Sequence, residues 1–297
     1  AVLEMGISDF GEMTRLTKIA RPDTCVITNI GTCHLENLGD RDGVLKAKTE
    51  IFKSMNPKGH IVLNGDDDKL ATVSVYNGIK PVFFGLNSER DVYADQIESK
   101  GLKGVACRIH LGEDAFDVLV PTPGIHMVYN ALAAAAVGRI YELSIEEIKR
   151  GIESLETLRG RFKMIETDKF LVVDDCYNAN PMSMKASLDV LHDGEGRRVA
   201  ILGDMGELGE NEIALHEEVG THAAQCGIDV CICVGALSAH MAEAARKADP
   251  EFKVIYEESR ESLLEHLGDL VQEGDTILVK ASHFMQFEEV VKALEEM

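Results

Sequence analysis

The chain has 297 residues, which suggests about two domains, and its 45% apolar and 27% charged residues exclude disorder as the main state. A chain of this length buries about 75% of the surface it would expose unfolded, so it needs no disulfide or metal staple. The net charge of −21 argues against binding nucleic acid or inserting into an anionic membrane. A phosphorylated substrate would require local cations or metal ions to reverse that sign.

The seven cysteines, at 25, 33, 107, 176, 226, 231 and 233, include no C-x-x-C, which is the usage of reduced thiols in a cytosol. Cys231 and Cys233 read as small strand residues rather than ligands. No apolar run reaches the ~18 residues of a membrane span, and no signal peptide is visible. The chain opens on Ala-Val-Leu-Glu-Met-Gly, as if inside a strand, and so reads as a piece of something longer.

Residues 1–5 read as a strand, 11–20 as a helix, 25–30 as a second strand, 42–55 as a helix closed by Pro57 and Gly59, and 60–63 as a third strand. This alternation predicts a parallel, doubly wound α/β sheet. Between Pro81 and Val120 the rhythm changes to short strands separated by Gly and Asp turns, a small antiparallel meander. An Ala-rich helix follows over 128–142. After Gly160 a second alternation begins, with strands at 170–174, 199–202, 230–234, 253–256 and 276–280. Helical patterns lie at 183–192, 212–226, 236–247, 259–267 and 287–296. Five βα units complete a Rossmann-like domain, so the domains are read as 1–158 and 159–297.

Gly203-Asp-Met-Gly-Glu-Leu-Gly209 sits where a dinucleotide fingerprint would sit, but its spacing is G-x-x-G-x-x-G. Its carboxylates would face a pyrophosphate, so a Gly-rich turn that positions Asp204, Glu207 and Glu210 is the better reading. No glycine is followed by lysine, so the chain contains no Walker loop. Glu4 and His34 fall at or shortly after the carboxyl ends of the first two predicted strands, where α/β sheets line their ligand crevice. Each alone also reads as a solvated or capped side chain. Together a carboxylate and an imidazole can reach one Mg²⁺, which takes few protein ligands when phosphates supply the rest. Lys48 lies on a helix with Val44, Leu45, Ile51 and Phe52 on its apolar face, and there a neutral amine can be favoured. Asp174-Asp-Cys-Tyr-Asn-Ala-Asn-Pro181 crowds four acids and amides at a strand end, more than Asx turns and a Pro-started helix require.

These stretches carry a resemblance. Glu4-Met-Gly, Gly11-Glu12, Thr28-Asn-Ile-Gly-Thr-Cys-His34-Leu-Glu and Lys46-Ala-Lys48-Thr-Glu-Ile-Phe52 resemble the central domain of the Mur ligases. Asp174–Pro181, Gly203–Gly209 and Leu278-Val-Lys280-Ala-Ser282 are similar to the branch that attaches D-Ala-D-Ala in peptidoglycan synthesis. The resemblance implies α/β architecture throughout. It gives a partial P-loop-type ATPase domain with its meander, then a Rossmann-like C-terminal domain, with the N-terminal domain and Walker segment upstream. It implies ATP and two Mg²⁺ as cofactors and UDP-N-acetylmuramoyl-tripeptide and D-Ala-D-Ala as partners, in a cytoplasmic monomer. Glu4 would hold Mg²⁺ between the β- and γ-phosphates, and His34 and Lys48, the latter as a carbamate, would serve a second Mg²⁺. Asn130 and His126 would contact the nucleotide, joined by Arg161 and Asp175 from the C-terminal domain. Tyr177, Asn178, Asn180, Lys280 and Ser282 would lie toward the dipeptide. Met127 replaces the family's usual Asn, and Lys280-Ala-Ser-His283 replaces Lys-Gly-Ser-Arg. Folylpolyglutamate-type ligases share the Glu, His and Lys set and form one alternative, against which the 177–181 and 203–209 stretches argue. An inactive truncated chain or scaffold is the other.

Overall fold

A computed structural model describes all residues from Ala1 to Met297 and divides the chain into two units, Ala1–Leu155 and Glu156–Met297. The first unit contains, in order, α1 (Glu12–Ala20), β1 (Thr24–Ile27), α2 (Leu35–Leu38), α3 (Arg41–Thr49), β2 (His60–Asn64), β3 (Val82–Gly85), β4 (Val92–Ser99), β5 (Val105–Leu111), β6 (Asp114–Val120), α4 (Ile125–Ile140) and α5 (Ile145–Glu153). Its six strands form one sheet in sequential order. The pairs from β1 to β4 are parallel, and β4–β5 and β5–β6 are antiparallel. The predicted meander is therefore not a separate layer: β3 and β4 carry the parallel sheet into it. Strand β5 alternates strictly, burying Val105, Cys107, Ile109 and Leu111 against one face of α4. The alanines of that helix (131, 133, 135 and 136) allow the close approach.

Residues 1–5 do not form a strand. Val2 is 99% exposed, and β1, the outermost strand, pairs only with β2. An apolar run becomes a strand only when a neighbour takes its backbone hydrogen bonds. The helix expected over 42–55 stops at Thr49 and continues as a 3₁₀ turn, Glu50–Ser54. Thr49 Oγ1 bonds back to the Leu45 carbonyl at 2.8 Å, a local competition that loosens a helix end, and Pro57 follows. Helix α5 was not foreseen, although Ser144 and Glu147 form a complete capping box at its start.

The second unit contains β7 (Lys163–Glu166), β8 (Leu171–Asp174), α6 (Pro181–Leu191), β9 (Arg198–Gly203), α7 (Glu212–Gln225), β10 (Val230–Val234), α8 (Ser238–Ala248), β11 (Lys253–Glu257), α9 (Arg260–Leu270), β12 (Thr276–Lys280) and α10 (Glu288–Glu295). Strand order is β11-β10-β9-β12-β8-β7, all parallel except the β7–β8 pair. Strands β10 and β12 are buried at every residue, as expected for a parallel sheet covered on both faces. Strand β12 inserts between β8 and β9, so the chain switches direction there. The carboxyl ends of the three strands lie side by side there, at Asp174, Gly203 and Lys280, and ends beside such a switch point are where α/β sheets bind ligands. All seven cysteines are free, and Cys231 and Cys233 are fully buried strand residues. Burial pushes the Cys25 thiol up to about 12. No helix is long and apolar enough to cross a membrane.

Candidate active site

In the first unit, residues 28–34 leave the carboxyl end of β1, and the rest of the unit ties their backbone down. Asn64 Nδ2 donates to the Thr28 carbonyl at 3.0 Å, the Ile30 N–H donates to Asp67 Oδ2 at 2.8 Å, and Arg41 Nε donates to the Ile30 carbonyl at 2.8 Å. Lys48, half-buried on α3, donates from Nζ to the Asn29 carbonyl at 3.0 Å. His34 closes the loop in the left-handed region, at φ 54°, with its carbonyl accepting the Asn37 and Leu38 N–H groups as α2 begins. A non-glycine residue held there costs on the order of 1 kcal/mol, and such strain concentrates at functional loops. His34 and Lys48 are thus brought to one loop. Glu4 lies exposed on the segment before α1, outside the sheet.

Two further carboxylates, to which the sequence reading gave no role, organise the same region. Glu12 Oε2 accepts the Ser8 and Asp9 N–H groups at 2.8 and 3.2 Å, and these bonds hold its carboxyl below the usual range. Glu50 Oε2 accepts from the Gly11 and Thr14 N–H groups and from Thr14 Oγ1. Partial burial pushes the Glu50 carboxyl up, but Lys53 and Thr14 outweigh that and leave it lowered. No group of three or more His, Cys, Asp or Glu side chains is arranged to hold a metal by itself.

At the first turns of α4, His126 and Met127 are half-buried and Asn130 is exposed. Asn130 Nδ2 donates to Met127 Sδ at 3.4 Å. Both residues line a mostly apolar cavity of about 470 Å³ between α4 and α5, with Ala131, Ile148, Ile152 and Leu155. Beside them, Tyr129 donates to Asp66 at 3.2 Å, and Asp66 also takes the Leu86 N–H and Arg90 Nε.

In the second unit, the side chains of 174–180 split into two groups. Asp174 is buried and faces inward, accepting the Gly160 N–H at 2.8 Å and the Cys176 thiol at 3.0 Å. Asp175 accepts from Lys280 Nζ at 2.6 Å and Ser187 Oγ at 2.7 Å, both at Oδ2. Asn180 caps α6, its Oδ1 accepting the Ser183 N–H, and Asn178 Oδ1 accepts the Ala179 N–H. Ser282 Oγ accepts the Gly206 N–H at 2.9 Å, joining the β12 end to the glycine-rich turn. Tyr177 is half exposed; the Arg161 guanidinium lies 4.1 Å from its ring centre, and the His283 ring 6.0 Å away.

The glycine-rich turn does not present its carboxylates as a set. Asp204 turns inward, its Oδ1 accepting from the Ser238 N–H and Oγ at 2.7 Å each, at the start of α8. Glu207 and Glu210 are exposed. His216, which the sequence reading missed, is fully buried behind the turn and accepts the Met205 N–H at Nε2 over 2.9 Å. Its Nδ1 lies 2.7 Å from the Glu212 carbonyl, so Nδ1 carries the proton of a neutral ring.

Residues 1–138 match the Mur ligase middle domain, and residues 160–283 match the Mur ligase, glutamate ligase domain. The chain belongs to the Mur ligase family. It is 36% identical, over its full length, to the UDP-N-acetylmuramoyl-tripeptide–D-alanyl-D-alanine ligase of Bacillus subtilis strain 168, and spans 64% of that protein. A MurF crystal structure from Acinetobacter baumannii superposes with a TM-score of 0.90 at 32% identity, covering 100% of this chain and 65% of that one. A Thermotoga maritima MurF ligase in complex with ADP superposes at 0.85 with 28% identity, over 99% of this chain and 66% of that one. At the positions expected to depart from the Mur ligase pattern, Met127 presents a thioether that accepts from Asn130. Ala281 is fully buried against Gly203, where an added Cβ would lie 2.7 Å from the Ala281 methyl. His283 is exposed.

Proposed function

We propose that the protein is a cytoplasmic, monomeric, ATP-dependent ligase that joins D-Ala-D-Ala to a UDP-N-acetylmuramoyl-tripeptide in peptidoglycan synthesis. The observation that carries this reading is the 36% identity, across the whole of this chain, to a curated ligase of that specificity. In the implied reaction, a tripeptide carboxylate oxygen attacks the γ-phosphorus of ATP and the bond to ADP breaks, leaving an acyl phosphate. The dipeptide amine then attacks the acyl carbon, loses its proton, and phosphate departs. Positioning and charge neutralisation supply most of the rate in such phosphoryl transfers.

Magnesium, when bound, would neutralise phosphate charge and hold the reacting groups in line. The residues present fit it. Glu4 offers an exposed carboxylate, and His34 and Lys48 share one tethered loop. The Lys48–Asn29 contact needs only one N–H, which a lysine carbamate retains while adding oxygen donors suited to Mg²⁺. On this reading Glu4 serves the first ion, and His34 and carbamylated Lys48 the second. Asn130 and His126 hold the nucleotide base, and Arg161 and Asp175 belong to the nucleotide site as well. Tyr177, Asn178, Asn180 and Ser282 shape the dipeptide side. Arg161 over Tyr177 offers an anionic substrate a cation backed by an aromatic face.

The test is phosphate release by the gene product in full, with ATP, Mg²⁺, the UDP-tripeptide and D-Ala-D-Ala supplied and then omitted one at a time. Turnover requires all four, and mass spectrometry finds the pentapeptide product. Turnover with glutamate and a folate in place of the peptide substrates would assign the chain to the folylpolyglutamate-type branch instead.

A further inference from the structure

We infer that Lys280 is a positioning residue, which locks the Asp175–Asn178 backbone and the Asp175 carboxylate in place, and does not itself bind the dipeptide. This rests on the ligase reading above. Lys280 ends β12, the central inserted strand, and its side chain is only 3% exposed. An ammonium has three hydrogens to donate, and three acceptors surround this one: Asp175 Oδ2 at 2.6 Å, the Asn178 carbonyl at 3.1 Å and the Asp175 carbonyl at 3.5 Å. All three belong to the turn that follows β8, so one buried cation clamps four consecutive residues to the neighbouring strand.

Ser187, one turn into α6, donates to the same Asp175 oxygen at 2.7 Å. Two donors on Oδ2 set the carboxylate's rotation. A buried ion pair adds little net stability against an apolar replacement, but removing one partner leaves a charge stranded. Such a pair is retained for the geometry it enforces. A dipeptide carboxylate could take Lys280 only by displacing one of these three acceptors and giving up its own water at a side chain that is 3% exposed.

The test uses the full gene product with Lys280→Met, Asp175→Asn, the double variant and Ser187→Ala, measured at saturating substrates. Misplacing a reacting geometry by about 1 Å costs on the order of 10²-fold, so Lys280→Met lowers kcat by about that factor. The double variant loses no more than the worse single, because both act through one contact. The preference for D-Ala-D-Ala over its C-terminal carboxamide stays at the parent value in Lys280→Met. Ser187→Ala, which leaves the ion pair intact, loses activity several-fold and supplies the readout if Lys280→Met folds poorly. Amide exchange across residues 176–180 speeds up in Lys280→Met, a result that needs no substrate. Loss of the carboxylate preference, additive losses in the double variant, or unchanged exchange overturns the inference. An inactive parent refutes the ligase reading and leaves the exchange result to decide this one.

Discussion

Asp204→Ala should destabilise the second unit by about 3 kcal/mol, although the position looks like an active-site carboxylate in a glycine-rich turn. The side chain accepts two bonds of 2.7 Å from Ser238, through its N–H and its hydroxyl, and a longer one of 3.3 Å from the Leu237 N–H. Ser238 opens α8 and is fully buried, so water cannot replace the lost acceptor. A stranded buried donor costs about 1–3 kcal/mol. Loss of an anion from the positive end of the helix costs a further 0.3–1 kcal/mol or so. Neither Glu207 nor Glu210 can substitute, because both are exposed. Asp204→Asn keeps an oxygen for the Ser238 N–H and should lose only about 1 kcal/mol, the share due to charge. Scanning calorimetry on both variants provides the assay. At about 2–4 °C per kcal/mol for a domain near this size, Asp204→Ala should lower the affected transition by roughly 10 °C. A shift below about 2 °C, or equal shifts for Ala and Asn, would mean that these bonds do not hold α8 to the turn.

Two further outcomes are expected. Lys48→Ala should remove most ligase activity, and Lys48→Arg should not restore it; Arg can still donate to the Asn29 carbonyl but cannot become a carbamate, so wild-type turnover by Lys48→Arg would remove this residue from the mechanism. His216 should make stability fall as the medium is acidified: burial lowers its tendency to protonate, so the unfolded chain takes up the proton first and stability is lost as pH drops below the ordinary value of about 6.5. Denaturant melts between pH 7.5 and 5.5 measure this, and a His216→Gln protein should show a shallower slope over that window.

Much of the α/β framework was legible along the chain, and the reason is local. Residues 230–234 and 276–280 are short apolar runs bounded by polar turns, and they formed at those bounds because a strand covered on both faces has no polar side to show. Residues 1–5 carry a similar pattern and formed no strand, because strand formation is a property of a pair and β1 pairs only with β2. The capping box at Ser144 and Glu147 was present in the sequence as a start signal for α5, so that omission reflects a signal left unread. The candidate site divides in the same way. Residue types and spacing placed His34 and the 174–181 run near strand ends, since the ends of parallel strands follow from the alternation itself; Lys48 was read on a helix, and the strand expected to end near Glu4 did not form. The direction each side chain takes does not follow from that alternation. Asp204 and Asp175 both stand just beyond strands, yet one turns inward onto a helix start and the other is clamped by a lysine 105 residues later in the chain. Nothing near Lys280 or His216 in sequence marks them as buried partners of these loops. Their roles depend on which strand lies beside which, and that order was decided when β12 inserted between β8 and β9.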